Sequence, residues 1–207
     1  MEISITRSLS EIKMLNKRIS RKISDSIFGG YSVGKKVMTG YDTKEDLEQT
    51  VKSDFDSVND LIARRNEVKS AIVMSNATTK VEIAGVKYTV AEAIERKSSI
   101  EYEEHLLNRL KNTYTQIVSR VDDVNDDMNR RLDKHLETLF SKEAKTDVQQ
   151  TDSVVKSFKE QNEAKLIDPI GLKTQIEKLE QKIEDFLTEV DHVLSTSNAI
   201  TTINVSE

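Results

Sequence analysis

The sequence predicts a mainly α protein built from long antiparallel helices in an elongated, coiled-coil-like bundle, with a small β-hairpin. Three observations carry this. Residues 90–140 contain neither proline nor glycine and hold an apolar stripe at three- and four-residue spacing: Leu107, Leu110, Tyr114, Ile117, Val121, Val124 and Met128. A second stripe, Leu172, Ile176, Leu179, Ile183, Phe186, Val190 and Val193, repeats the pattern near the C-terminus. Between residues 75 and 90 the apolar period shortens to two.

A helix over 90–140 would run about 75 Å at about 1.5 Å per residue. A compact chain of this length has a radius of gyration near ~17 Å. The helix therefore needs partners, and the expected assembly is a homo-oligomer, a tetramer or at least a dimer.

The elements follow in order. Ser8, with Glu11 three residues on, has capping-box spacing and opens a first helix that runs to Ile27 with Leu9, Ile12, Leu15, Ile19, Ile23 and Ile27 as its apolar set. The glycine-rich segment from Phe28 to Lys36, ending near Gly40 and Tyr41, reads as a loop. A second helix begins after Thr43, with Asp46 in the capping position, and carries Leu47, Val51, Phe55, Val58, Ile62, Val68 and Ile72 toward Met74. Val81, Ile83, Val86, Tyr88 and Val90 alternate about Ala84-Gly85, the pattern of a tight hairpin over 76–89. Thr89 and Glu92 form the capping box of the long third helix. Residues 141–167 are polar and patchily apolar, fitting a linker, an irregular arm or a marginal helix. Asp168-Pro169 marks the last helix start, with proline at the first helical position, and the tail 199–205 reads as a strand that joins the hairpin. The whole is one helical domain over 1–207.

Composition narrows the function. The chain has 207 residues, 36% apolar and 32% charged, which fits narrow bundles with much solvated surface. It has no cysteine, so thiolate metal sites and cysteine nucleophiles drop out, and a reducing compartment is consistent. No apolar run at the N-terminus or elsewhere fits a signal peptide or membrane span, so a soluble protein in the cytoplasm is expected.

The net charge of −5 argues against general nucleic-acid binding, but it is unevenly spread. Residues 1–40 hold eight basic side chains against three acidic, and residues 62–97 hold seven against four. Two basic segments in an acidic chain fit a local anion site. Lysine-rich helix surfaces are the plainer alternative.

Candidate ligands lie in those segments. The glycine-rich loop is not a P-loop: Gly34-Lys35-Lys36 lacks the closing Ser or Thr, and Gly29 follows a helix instead of a strand. Lys35 and Lys36 are still suited to clamp a phosphate while Tyr31 or Tyr41 stacks on a base; otherwise the segment is a simple connector. Arg64, Arg65, Arg96 and Lys97 converge near Lys87 and Tyr88 if the hairpin folds helices two and three together. The alternative is that each arginine packs its stem on the bundle and pairs with Glu67, Glu92 or Glu95. Metal chemistry is not indicated, because Glu189-x-x-His192 has no mate and Asp122, Asp123, Asp126 and Asp127 lack an EF-hand frame. No cofactor and no catalytic residue is expected.

The run Leu9-x-Glu11-Ile12-x-x-Leu15-x-Lys17-Arg18-Ile19, the segment Leu61-Ile62-x-x-Arg65-Asn66, and Asn76-Ala77-Thr78-Thr79 followed by Gly85-x-x-Tyr88-Thr89-x-x-Glu92-Ala93-Ile94 together resemble a septicolysin-like family of small helical proteins from bacteria and phages. Phage proteins of this look include cyclic-nucleotide sponges directed against CBASS defence. The resemblance thus implies a tetrameric immune-evasion protein in the host cytoplasm that binds a cyclic dinucleotide without cleaving it. The alternatives are a helical structural or assembly protein of a phage and a helical inhibitor of a host protein.

Overall fold

A computed structural model describes residues 1–140 and 148–206. The fold is mainly α, with five helices and three two-stranded antiparallel ribbons among the described residues. The chain divides into two compact units, one formed by Met1–Ser98 with Asp185–Glu207, the other by Ser99–Glu184.

In the first unit, strand β1 (Glu2–Ser4) leads directly into helix α1 (Ile5–Asp25). Ser4, not Ser8, is the cap: its backbone is extended and its hydroxyl accepts from Arg7 N–H. Ser8 lies inside the helix, fully buried, and donates its hydroxyl to the Ser4 carbonyl at 2.8 Å. Its inner face carries Ile5, Ser8, Ile12 and Leu15, and Leu9 and Ile23 face solvent despite their helical spacing.

The glycine-rich segment is more ordered than a plain loop. Strands β2 (Ser32–Val33) and β3 (Lys36–Val37) form a short ribbon around Gly34, whose φ of 61° suits glycine. Helix α2 (Lys44–Thr78) follows, capped by Thr43 accepting from Asp46 N–H at 3.1 Å, and it continues one turn past Met74.

The expected hairpin is present as β4 (Lys80–Ile83) and β5 (Val86–Thr89). Ala84 and Gly85 both take positive φ, as a two-residue primed turn requires. Ala84 pays the usual L-residue strain there, and its N–H is held by Glu189 Oε2 at 2.7 Å. The reciprocal Thr89–Glu92 box then opens helix α3 (Val90–Phe140): Thr89 N–H donates to Glu92 at 2.7 Å and Glu92 N–H to Thr89 Oγ1 at 3.1 Å.

The C-terminal strand departs from expectation. Strand β6 (Thr202–Asn204) pairs with β1, not with the hairpin, placing Ile3 opposite Ile203. The reason is burial: Ile3, Ile5, Ile203 and Val205 close over Val68 and Ile72 of α2 in one apolar cluster. Pairing the tail with the hairpin would leave that cluster open on one side.

The second unit holds the distal part of α3, helix α4 (Val148–Asn162) and the start of helix α5 (Leu172–Ile200). Residues 148–162 of the polar stretch thus form a helix; residues 141–147 lie outside the described residues. Helix α4 runs back along α3, with His135 stacked on Phe158 and Asn125 exchanging two hydrogen bonds with the Ala164 backbone. Glu103 and Lys182, and Lys111 and Glu180, tie α3 to α5.

Helix α5 begins at Leu172, later than Asp168-Pro169. Gly171 has a φ of 69°, which interrupts the helical run. Asp168 nevertheless serves the helix start, its carboxylate accepting from Leu172 N–H at 2.7 Å. The stripe on α5 faces inward: Leu172, Ile176, Ile183, Phe186 and Val190 are all buried.

Candidate functional site

The cations singled out in the sequence fall into separate groups. Arg64 faces α1 and the C-terminal tail, where its guanidinium binds Glu11 at 2.9 Å, Glu67 at 3.3 Å and the Ser206 carbonyl at 2.5 Å. Glu67 in turn accepts from Ser206 N–H at 2.6 Å and from its hydroxyl at 2.7 Å. Those hydrogen bonds, followed by the charge of Arg64, hold the Glu67 carboxyl below its ordinary pKa. Arg65 donates to Asn16 on α1 at 3.1 Å. Arg64 and Arg65 lie fourteen and thirteen positions before the end of α2, about 20 Å along the helix at about 1.5 Å per residue. They stitch the helical pair and the tail together, far along α2 from the hairpin.

Near the hairpin the organising residue is Phe186. Its buried ring meets Tyr88 edge-on, with centroids 5.9 Å apart and planes at 72°. The Arg96 guanidinium lies 4.7 Å over the same ring. Lys87 is exposed on the outer face of β5 and pairs in register with Glu82. Lys97, one residue beyond Arg96, binds Asp191 on α5 at 2.5 Å. So Tyr88 and Arg96 do come together, but on an aromatic core residue that the stripe marked only as apolar. Arg96 is half-buried with its guanidinium engaged over the Phe186 ring.

The glycine-rich segment forms one wall of a cleft of about 250 Å³ against the first turns of α2. Tyr31 lines it and is 69% exposed, leaving a ring face available. Lys35 and Lys36 are exposed at the tip of the β2–β3 ribbon and do not line it. Lys44 and Lys52 of α2 supply its positive charge instead, with Glu48 between them and paired to Lys44 at 3.2 Å. The eight-residue spacing of Lys44 and Lys52 places them on one helix face, and that was the readable signal.

Gly30 is closely packed on the Leu47 and Met38 side chains. A Cβ there would sit 2.6 Å from both a Leu47 methyl and the Met38 sulfur. The segment is also anchored at its start, where Asp54 accepts from Lys22 at 2.7 Å and from Ile27 N–H at 2.9 Å. The Lys22 hydrogen bond, then that of Ile27, lowers the Asp54 pKa.

Among the described residues no three His, Asp or Glu side chains gather to hold a metal ion. No helix of the described residues is long and apolar enough to cross a membrane. Asp122, Asp123, Asp126 and Asp127 lie exposed on α3, Asp127 being paired with Arg130. No protein-family model, curated protein or solved structure matches this chain.

Proposed function

We propose that this protein works by association and not by catalysis, as a helical assembly protein whose α3 stripe is completed by further copies of the same chain. One observation carries the reading. In the second unit the middle of the stripe, Leu110, Tyr114, Ile117, Val121 and Val124, is only half-buried, while its ends, Leu107 and Met128, are buried. Beside it runs a groove of about 540 Å³ lined by Leu106, Leu110, Ile170 and Leu179, with Leu106 and Ile170 more than half exposed. Apolar surface left in water at about 25 cal/mol per Å² is a standing drive toward association.

Replacing Ile117 and Val121 together with Asp is expected to dissociate the assembly or unfold it, since a charge in a closed seam costs several kcal/mol. Light scattering and circular dichroism check this. A wild-type chain that stays monomeric at micromolar concentration removes the reading.

The cleft beside Gly30 supports a second reading, sequestration of a small anionic nucleotide such as a cyclic dinucleotide without cleavage, the role of a phage immune-evasion protein. Tyr31 offers a stacking face and Lys44 and Lys52 the charge. Replacing Tyr31 with Ala is expected to cost ~1 to 3 kcal/mol of affinity, read by calorimetry with a cyclic dinucleotide. Wild-type protein that binds none of a panel of cyclic dinucleotides rules it out, and recovery of a linear product would show an enzyme.

A further inference from the structure

The exposed side of α3 between residues 120 and 137 carries a charge pattern that is complementary to its own reverse. In chain order one exposed row reads Arg120, Asp123, Asp127, Arg130, Lys134 and Glu137, with Glu137 at its edge nearest the half-buried Leu136. These residues recur at three- and four-residue steps, so they share one side of the helix, turned away from buried Met128 and Leu132.

Laid antiparallel on a second copy about a point between positions 128 and 129, the row matches opposite signs at every position. Arg120 meets Glu137, Asp123 meets Lys134, and Asp127 meets Arg130, each pair occurring twice by symmetry. A parallel, in-register pair would instead set every charge against itself.

We propose that two copies of this chain meet along this side of α3 in an antiparallel, two-fold contact centred between Met128 and Asn129. The contact lies on the side of α3 opposite the half-buried stripe, so it is a second seam beside the self-association proposed above and is tested apart from it. A two-fold contact must be self-complementary, and a charge row that inverts about its midpoint meets that condition. The Asp127–Arg130 pair within one helix is replaced by the same pair across the contact, so no charge is stranded when the copies join. Exposed ion pairs contribute little singly. Six such pairs in one register act together, and they set register and orientation as charges flanking a coiled-coil seam do.

The test is a charge swap on the full chain. One variant carries Asp123→Lys and Asp127→Lys, the other Arg130→Glu and Lys134→Glu. Each alone repels its own copy in this register and is expected to self-associate at least about tenfold more weakly than wild type at low salt. An equimolar mixture restores opposite signs at all four altered positions, so association should return to near the wild-type level as a mixed species. Sedimentation velocity with one variant labelled reads this directly.

A mixture no tighter than its components, or variants that associate as wild type does, overturns the contact while leaving self-association intact. A monomeric wild type overturns both. Should a reversal variant lose helix content, the neutral variant Arg130→Gln with Lys134→Gln replaces it; unchanged association and unchanged salt dependence in that variant also overturn the contact.

Discussion

Replacing Phe186 with Ala is expected to destabilise the first unit by about 3 to 5 kcal/mol, the usual range for emptying a buried phenylalanine site. The ring is 2% exposed, so nearly all of its surface is lost to a cavity. Two directional contacts go with it: the edge-on Tyr88 ring and the Arg96 guanidinium over the face. The Arg96 head would then sit over a void, with its interaction with the ring gone. Phe186→Leu keeps much of the volume and removes only the aromatic face, so a smaller loss of about 1 kcal/mol is expected. Urea unfolding followed by circular dichroism measures both. Equal stability of Phe186→Ala and wild type would show that the hairpin does not depend on this ring.

Replacing Ile72 with Ala is expected to cost about 2 to 5 kcal/mol. Ile72 is 2% exposed and sits with Val68 beneath both terminal strands, in contact with a cluster that includes Ile3, Ile5, Ile203 and Val205. The β1–β6 ribbon has only three residue pairs, too few to persist without a packed face. Amide exchange should therefore rise in both terminal strands together, ahead of α2 itself. Faster exchange in β6 alone, with β1 unchanged, would contradict the shared core.

The two predictions fall on opposite sides of what was legible beforehand. The long helix from Val90 to Phe140, its Thr89–Glu92 cap, the Ala84-Gly85 turn and the inward stripe of α5 are all stated by residues within a few positions of one another. Cap spacing, turn chemistry and apolar period are local properties, so a single sequence expresses them. Two helix starts fell elsewhere than the spacing placed them. Ser4 prevailed over Ser8 because an extended strand precedes it, and Leu172 opened α5 because Gly171 takes a left-handed conformation.

The candidate site was legible as residue types but not as an arrangement. Arg64 and Arg96 both carry a guanidinium in a basic segment. One closes a network with Glu11, Glu67 and Ser206, while the other covers Phe186. Apart from Glu67, three residues on from Arg64, their partners lie tens to more than a hundred residues away along the chain, beyond the reach of local pattern. Lys44 and Lys52 took the place of Lys35 and Lys36 at the cleft for a similar reason: the β2–β3 ribbon turns its tip outward.

By itself, then, the amino-acid order determined the four longer helices, where the hairpin turns and which faces of α3 and α5 are apolar; helix α4 it left open. Only the tertiary structure decided that the C-terminal strand pairs with residues 2–4, that the arginines separate, and that Tyr88 and Arg96 share one ring. The physical reason is range. Propensity, capping and periodicity act within a turn or two of backbone, whereas strand pairing and ion-pair choice depend on which apolar surfaces close over one another, and that is set by the packing of segments far apart in sequence.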